Sequence, residues 1–578
     1  MKKTLIAVAV IAAGAAGYYF KFGPGAAGQD SAVLEYVPAD TALLTAQLKP
    51  INMADYLASM GLFPQYYGAE SQKSIQDLIA TTTEPGMKFM LSLALSYMQA
   101  FEKPQDLEKI TGLKLSMRQL MYMVGISPVV KVEVADEAAM WAMFDKAEKD
   151  SGYQHKTGTV GAINYRKYTF TMPEAELDLV VSVNNGWASI VLTSSKLDAA
   201  NLSIALGATK PAQSVVSSGK LKELSTKYQL NQESFGYVST QELVKALNSK
   251  DGNQLAKDVE TLFGAEAGVA LASWREPACQ TDTNAIAASW PGMFIDSKFT
   301  LAATGMEGQS RIQIPTENKV TIEGLNLLRG FIPQQQLQLI GDKQMMQFAL
   351  GLDVAQVAAG VGKLWEVATT TTYTCPALVE MQTELKTNNP MGALAMAGMA
   401  GGVQGVSMSL NNLKMDAATQ MPTEADAALV LSVANARTFF EGIKAMAPPL
   451  AAITLPADGA ELDLATAVPE LAMTGLKPKL IASDSHIAVY VGEQAKAQAT
   501  ATVGEKLAKN GLMAMGIDYA SFFELMKATI ESSGQPLPPE VGAMMSMDMK
   551  NSTVFDVNTH GLIITSTVKL AAPAPAAK

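Results

Sequence analysis

At 578 residues, 48% of them hydrophobic and 17% charged, the chain is too long for one core and too apolar for global disorder. Its 44 Lys and Arg stand against 55 Asp and Glu, a net charge of −11 that repels phosphate backbones and argues against nucleic acid as a partner.

The N-terminus carries the clearest local signal. Lys2 and Lys3 precede an apolar run from Leu5 to Phe20, and Lys21 follows it. This order of charge and apolarity reads as an export signal, so residues 1–23 are expected to be a signal sequence or an N-terminal membrane anchor. Tyr18, Tyr19, Phe20 and Lys21 form an aromatic and basic boundary that favours an uncleaved anchor through residues 5–20. Ala13 and Ala15 fit the alternative, peptidase cleavage and release into the periplasm. No cysteine lies near the segment, which excludes a bacterial lipoprotein. With the lysines retained on the cytoplasmic side, the remainder is expected in a bacterial periplasm.

From there the chain reads as an α+β protein of two tandem pseudo-repeats, each made of antiparallel β-hairpins packed against helices. The first repeat is expected over residues 33–315 and the second over 331–570, with a linker at 316–330 and a disordered tail at 571–578. In the first, "YVPADTALLTAQL" (Tyr36 to Leu48) leads into a strand, and the Met-rich "GMKFMLSLALSYMQAF" (Gly86 to Phe101) reads as an apolar helix. Val130, Val132 and Val134 alternate in a strand that passes into a helix bearing Met140, Trp141 and Phe144. "VVSVNNGWASIVLT" (Val180 to Thr193) is then a hairpin with an Asn-Gly turn.

The same kinds of element return in the same order. "FIPQQQLQLIG" (Phe331 to Gly341) answers Tyr36 to Leu48, and Leu429, Leu431 and Val433 line one face of a strand leading to Phe439, Phe440 and Ile443. "LIASDSHIAVYV" (Leu480 to Val491) answers the hairpin. Val134 and Val433 stand 299 residues apart, as do Trp187 and His486. "FGYVSTQELVKAL" (Phe235 to Leu247) matches "MGIDYASFFELMKA" (Met515 to Ala528), and the hairpin-like Phe299 to Ile314 matches Thr553 to Leu570.

Two cysteines, Cys279 and Cys375, sit where the repeats differ most. In an oxidising compartment they are expected to pair and to clip one half to the other, the alternative being two buried thiols.

Chemistry is hard to find. His155, His486 and His560 lie far apart without metal-ligand spacing, and His486 and His560 fall at or beside turns, where exposure is expected. No nucleophile elbow or dinucleotide fingerprint is present, and "AAGVGKLW" around Lys363 lacks the residues of a phosphate loop. Asp136 and Glu137 read as a helix start. No catalytic, cofactor-binding or metal-ligating residue is therefore assigned.

Methionine is abundant at 32 residues. Met545, Met547 and Met549 are spaced for Cu(I), and equally for one face of a strand. The uncharged stretch from Thr387 to Leu413 reads as a buried helix followed by a strand, with a membrane span and an apolar lip as alternatives.

The opening "YVPADTALL", following an export signal, resembles exported bacterial proteins of unassigned function whose domain begins with a Leu/Val-Pro-Ala-Asp-Thr strand. The resemblance covers about nine residues and implies an envelope location; it carries no catalytic residues. Three functions stand: a non-enzymatic envelope protein that binds a protein partner or acts as scaffold, a periplasmic carrier or sensor of a lipid or other apolar ligand, and an enzyme whose site the sequence does not display.

Overall fold

The structure, a computed structural model, describes residues 31–60, 68–172, 175–302, 305–390, 392, 394, 401–415, 422–445, 450–457, 459–468, 475–532 and 548–571. Among these are 19 strands and 17 α-helices, so the protein is α+β. It divides into two units. The first takes the chain up to Glu317 together with Tyr373–Glu380; the second takes Asn318–Thr372 and everything from Met381.

The first unit contains β1 (Leu43–Asn52), β2 (Ser116–Val124), β3 (Ser127–Glu133), β4 (Lys156–Val160), β5 (Ile163–Met172), β6 (Ala175–Asn184), β7 (Trp187–Thr193), β8 (Ser234–Ser239), β9 (Gly292–Ala302) and β10 (Gly305–Pro315). They pair antiparallel in the order β4-β5-β6-β7-β3-β2-β1-β8-β9-β10. The β6–β7 hairpin closes on Asn185 and Gly186, both at positive φ (51° and 75°), the conformation its Asn-Gly turn requires.

Both faces of this sheet are covered. On one side Leu44, Leu120, Tyr122, Val129, Val180 and Val191 meet helices Ala199–Leu206 and Lys220–Tyr228. On the other, Val132, Val181 and Ala188 meet helices Pro85–Glu102 and Glu137–Ser151 through Phe89, Leu93, Met140 and Phe144. Neighbours in sequence such as Val180 and Val181 divide between the two cores, as a period of two demands. Helix Glu137–Ser151 begins where Asp136 accepts a hydrogen bond from the Ala139 amide and ends at Gly152 with φ 73°.

The second unit contains β11 (Met346–Leu350), β12 (Val403–Met415), β13 (Pro422–Val433), β14 (Leu462–Asp463), β15 (Lys479–Ala482), β16 (His486–Val491), β17 (Met513–Asp518), β18 (Met549–Asn558) and β19 (Gly561–Ala571). Their antiparallel order is β14-β15-β16-β13-β12-β11-β17-β18-β19. Helix Glu493–Val503 lays Ala495, Ala499 and Val503 on Ala428, Val430 and Ala488. Helix Ala436–Lys444 covers one end of the opposite face, packing Phe440 with Val433, Leu480 and Ile487.

The stretch 316–330, expected as a helical-looking linker, does hold a helix, Lys319–Leu328, which crosses helix Val354–Thr370 closely. A Cβ on Gly360 would come 2.8 Å from the Gly324 carbonyl oxygen. Lys363, in the near miss of a phosphate loop, lies within that second helix and pairs with Glu323 at 2.9 Å.

Cys279 and Cys375 form a disulfide with a Cα separation of 4.3 Å. The bond lies within the first unit, because residues 373–380 pack there rather than with their sequence neighbours. The buried Asp282 carboxylate holds that segment, accepting from the Thr374 and Cys375 amides at 2.6 and 2.7 Å.

Among the described residues no helix is long and apolar enough to cross a membrane. The segment 5–20 lies outside them, as do most of residues 391–400, Met545, Met547 and residues 572–578. Of the uncharged stretch from Thr387 to Leu413, the strand appears as β12.

Candidate functional site

The four central strands of the second unit turn an apolar face to solvent. In register across β13, β12, β11 and β17, Leu429, Met408, Phe348 and Met515 form one row. Leu431, Val406, Leu350 and Met513 form the row on one side of it, and Ala427, Leu410, Met346 and Ile517 the row on the other. None of these side chains is polar. The middle row is 37–52% exposed throughout, and Val406 and Leu350 are 37% and 40% exposed.

The opposite side of the same strands is buried and largely polar or small: Gln347, Ser407, Ser409 and Ser432 lie there with Ala349 and Ala514. Gln347 accepts from Gln344, Ser409 donates to Gln498 at 2.7 Å, and Asn411 donates to Gln498 and Asp426. An alternating strand ordinarily turns its polar residues outward. Here the polar face is satisfied inside and the apolar face is left in water.

With strands about 4.8 Å apart and same-face residues about 6.8 Å apart along each strand, the twelve-residue grid covers on the order of 400 Å², and six of its positions are exposed. That is the size of the largest apolar patch on a typical monomer, which is often functional. The grid's border is polar over two of the three rows. Next to β17, Thr553 and Asn551 of β18 sit opposite Met515 and Ile517, and Thr553 hydrogen-bonds Asn551 and Ser566, while Phe555 sits opposite Met513 and extends the third row. Next to β13, Ile487 of β16 passes into the core under helix Ala436–Lys444.

No protein-family model, curated protein or solved structure matches the chain. Any assignment therefore rests on the chain's own chemistry.

The polar groups converge at few places. Glu148 is held by Tyr168 Oη and His155 Nδ1, each at 2.7 Å, with Arg166 at 3.4 Å. Arg166 also stacks over Trp141, 4.6 Å from the ring centre. All three partners meet the same oxygen, Oε1, an arrangement that pins helix Glu137–Ser151 to β5. His486, expected at an exposed turn, is instead fully buried. As the first residue of β16 its ring meets Ser432 Oγ at 2.9 Å and the Glu505 carbonyl at 3.1 Å, and burial lowers its pKa. His560 does sit in a turn, between β18 and β19.

An open cleft of about 700 Å³ in the second unit is lined by Glu461, Asp484, Glu505 and Lys506 among others. Glu461 is committed to Lys479 and Lys496, which hold its carboxyl at about 2. Among the described residues no group of three or more His, Cys, Asp or Glu is placed to hold a metal ion. Met549, the one described member of the Met545, Met547, Met549 series, lies in β18.

In the first unit, Lys131 of β3 is buried with its Nζ 2.7 Å from Ser189 Oγ and 5.9 Å from the centre of the Tyr36 ring. Burial lowers its pKa to about 8. The pair has the composition of a nucleophile and its base. Ser189 is 1% exposed, so no substrate reaches it.

Sequence reasoning placed Leu429, Leu431 and Val433 on one apolar strand face and missed that this face stays open over most of its area. Val433 is in the core and Leu431 packs against it, while Leu429 is exposed. The available signal was the combination of "MQFAL" and "VSMSL", two segments whose apolar residues alternate with Gln, Ser or Ala.

Proposed function

We propose that the protein is a non-enzymatic component of the bacterial cell envelope, tethered to the inner membrane by residues 5–20, whose periplasmic part binds a protein partner on the bare sheet face of its second unit. The observation that carries this reading is the grid of twelve apolar side chains on β13, β12, β11 and β17, six of which, Leu429, Met408, Phe348, Met515, Val406 and Leu350, are exposed to water. The disulfide supports an oxidising compartment. The face is open rather than enclosed, which favours a macromolecular partner over a carried lipid.

In the same reading the two units are tandem copies of one ancestral module. Two observations support this. Counted along the chain, the strands of β5-β6-β7-β3-β2-β1-β8-β9-β10 and of β14-β15-β16-β13-β12-β11-β17-β18-β19 are laid in the same order. The pair Glu133 and Trp187 and the pair Ser432 and His486 occupy matching registers, each member displaced by the same 299 residues. In the first copy both faces of the sheet are packed; in the second one face has been kept bare for a partner.

The test is site-specific photocrosslinking in intact cells of the source organism. A photoreactive residue at Met408 should give one adduct of defined mass, while the same residue at buried Ser409, on the other side of β12, should give none. Absence of an adduct from Met408, or equal adducts from both positions, would overturn the reading.

A further inference from the structure

We propose that the occupant of the bare face is a single amphipathic α-helix of the partner, about three to four turns long, that lays a stripe of Leu, Met or Phe side chains across β13, β12, β11 and β17. This rests on the partner-binding reading and specifies what the partner presents.

Backbone pairing argues first. β13 is paired on both edges, by β12 and β16; β12 by β11 and β13; β11 by β12 and β17; and β17 by β11 and β18. No free edge is available within the face, so a partner cannot add a strand and must bind through side chains.

Size comes next. Four strands span about 19 Å, which a helix of roughly 13 residues covers at about 1.5 Å per residue. A second copy stacked sheet on sheet would bury on the order of 400 Å² per chain through this face, half of the ~800 Å² per partner of a standard stable interface. The area suits one helix and is small for a dimer.

Composition agrees with both. Met346, Met408, Met513 and Met515 supply four of the twelve side chains, and unbranched methionine adapts to an incoming helix at little cost. The border at Asn551, Thr553 and Ser566 carries no charge, where an anionic membrane surface would call for Lys or Arg. The first unit shows the mode within this chain: helix Pro85–Glu102 packs on a sheet face by setting Phe89, Leu93 and Ala100 downward.

The test uses the full-length chain in detergent micelles and two fluorescent fourteen-residue peptides of identical Leu, Lys and Glu content and zero net charge. One spaces its leucines at helical period; the other alternates them. Anisotropy titration should show the helical peptide binding at least tenfold more tightly, gaining helix by circular dichroism as it does. Met408→Glu should weaken that binding at least tenfold, with Leu429→Glu as a second variant at the most exposed position. Each variant must keep the wild-type circular dichroism spectrum. Equal binding of both peptides, or no binding by either, would overturn the helix proposal. So would self-association, or capture by phosphatidylethanolamine and phosphatidylglycerol vesicles, that Met408→Glu abolishes. A crosslinked partner in cells together with failure of the helical peptide would leave partner binding standing and refute the helix alone.

Discussion

Lys131 offers a quantitative check of the packing of the first unit. Its ammonium lies inside the sheet with one hydroxyl and one ring for company. Burial brings its pKa from 10.5 to about 8. Between those values the unfolded chain binds a proton that the folded chain does not, so stability rises with pH across the window and is lowest below pH 8. The gap corresponds to about 3 kcal/mol of destabilisation at pH 7. Lys131→Met keeps the length of the side chain and removes the charge, at the loss of the hydrogen bond to Ser189, worth about 1 kcal/mol. The variant should therefore be more stable than wild type by about 2 kcal/mol at pH 7, and the gain should vanish by pH 10.5. Urea unfolding followed by fluorescence of Trp141 and Trp187 reads this directly, both being partly buried in the first unit. A variant less stable than wild type at pH 7, or a difference constant from pH 7 to 11, would refute the reasoning.

Other outcomes follow from the same geometry. Burial raises the carboxyl of Glu133, but hydrogen bonds from Arg118 and Lys114 outweigh it and hold its pKa at about 2. Its stabilisation should be complete above the usual carboxylate pKa and be lost as pH falls toward 2, and Glu133→Gln should cost about 3 kcal/mol by removing the charge to which both Arg118 and Lys114 donate; urea midpoints at neutral pH and in acid check both. Cys375→Ser opens a loop with a sequence separation of 96, so it should destabilise the first unit by up to about 4.7 kcal/mol, read by urea titration without reductant. His486 is kept neutral by burial, so the second unit should lose stability as pH falls below 6.5, and His486→Asn should flatten that dependence when unfolding is followed at Trp365. Met408→Glu, at an exposed position, should leave thermal stability unchanged, because the charge enters water rather than the core.

Much of the fold was legible because the residues that define it act locally. The Asn185-Gly186 turn, the Asp136 cap and the period-two alternation of β3 and β13 each impose their structure within a few residues, and β7 and β16 begin at Trp187 and His486 as the spacing suggests. The cysteine pairing was legible because two cysteines allow one bond. What escaped depends on what lies opposite. Alternation in "ALVLSV" shows that one face is apolar, but whether a helix covers that face is decided by distant segments. The burial of His486 is likewise decided by Ser432 and Glu505, 54 and 19 residues away in sequence. The ownership of residues 373–380 by the first unit depends on Asp282, which nothing in the local sequence of Cys375 reveals.

The measurement that tests the central claim most directly compares solvent access to the bare face in cells and in isolation. Leu429→Cys, on the face, and Val269→Cys, 82% exposed on the first unit, would each be treated with a membrane-impermeant maleimide in outer-membrane-permeabilised cells and as purified protein. Val269→Cys should label equally in both, whereas Leu429→Cys should label readily when purified and be protected in cells by its partner. Equal labelling of Leu429→Cys in both settings would contradict that claim.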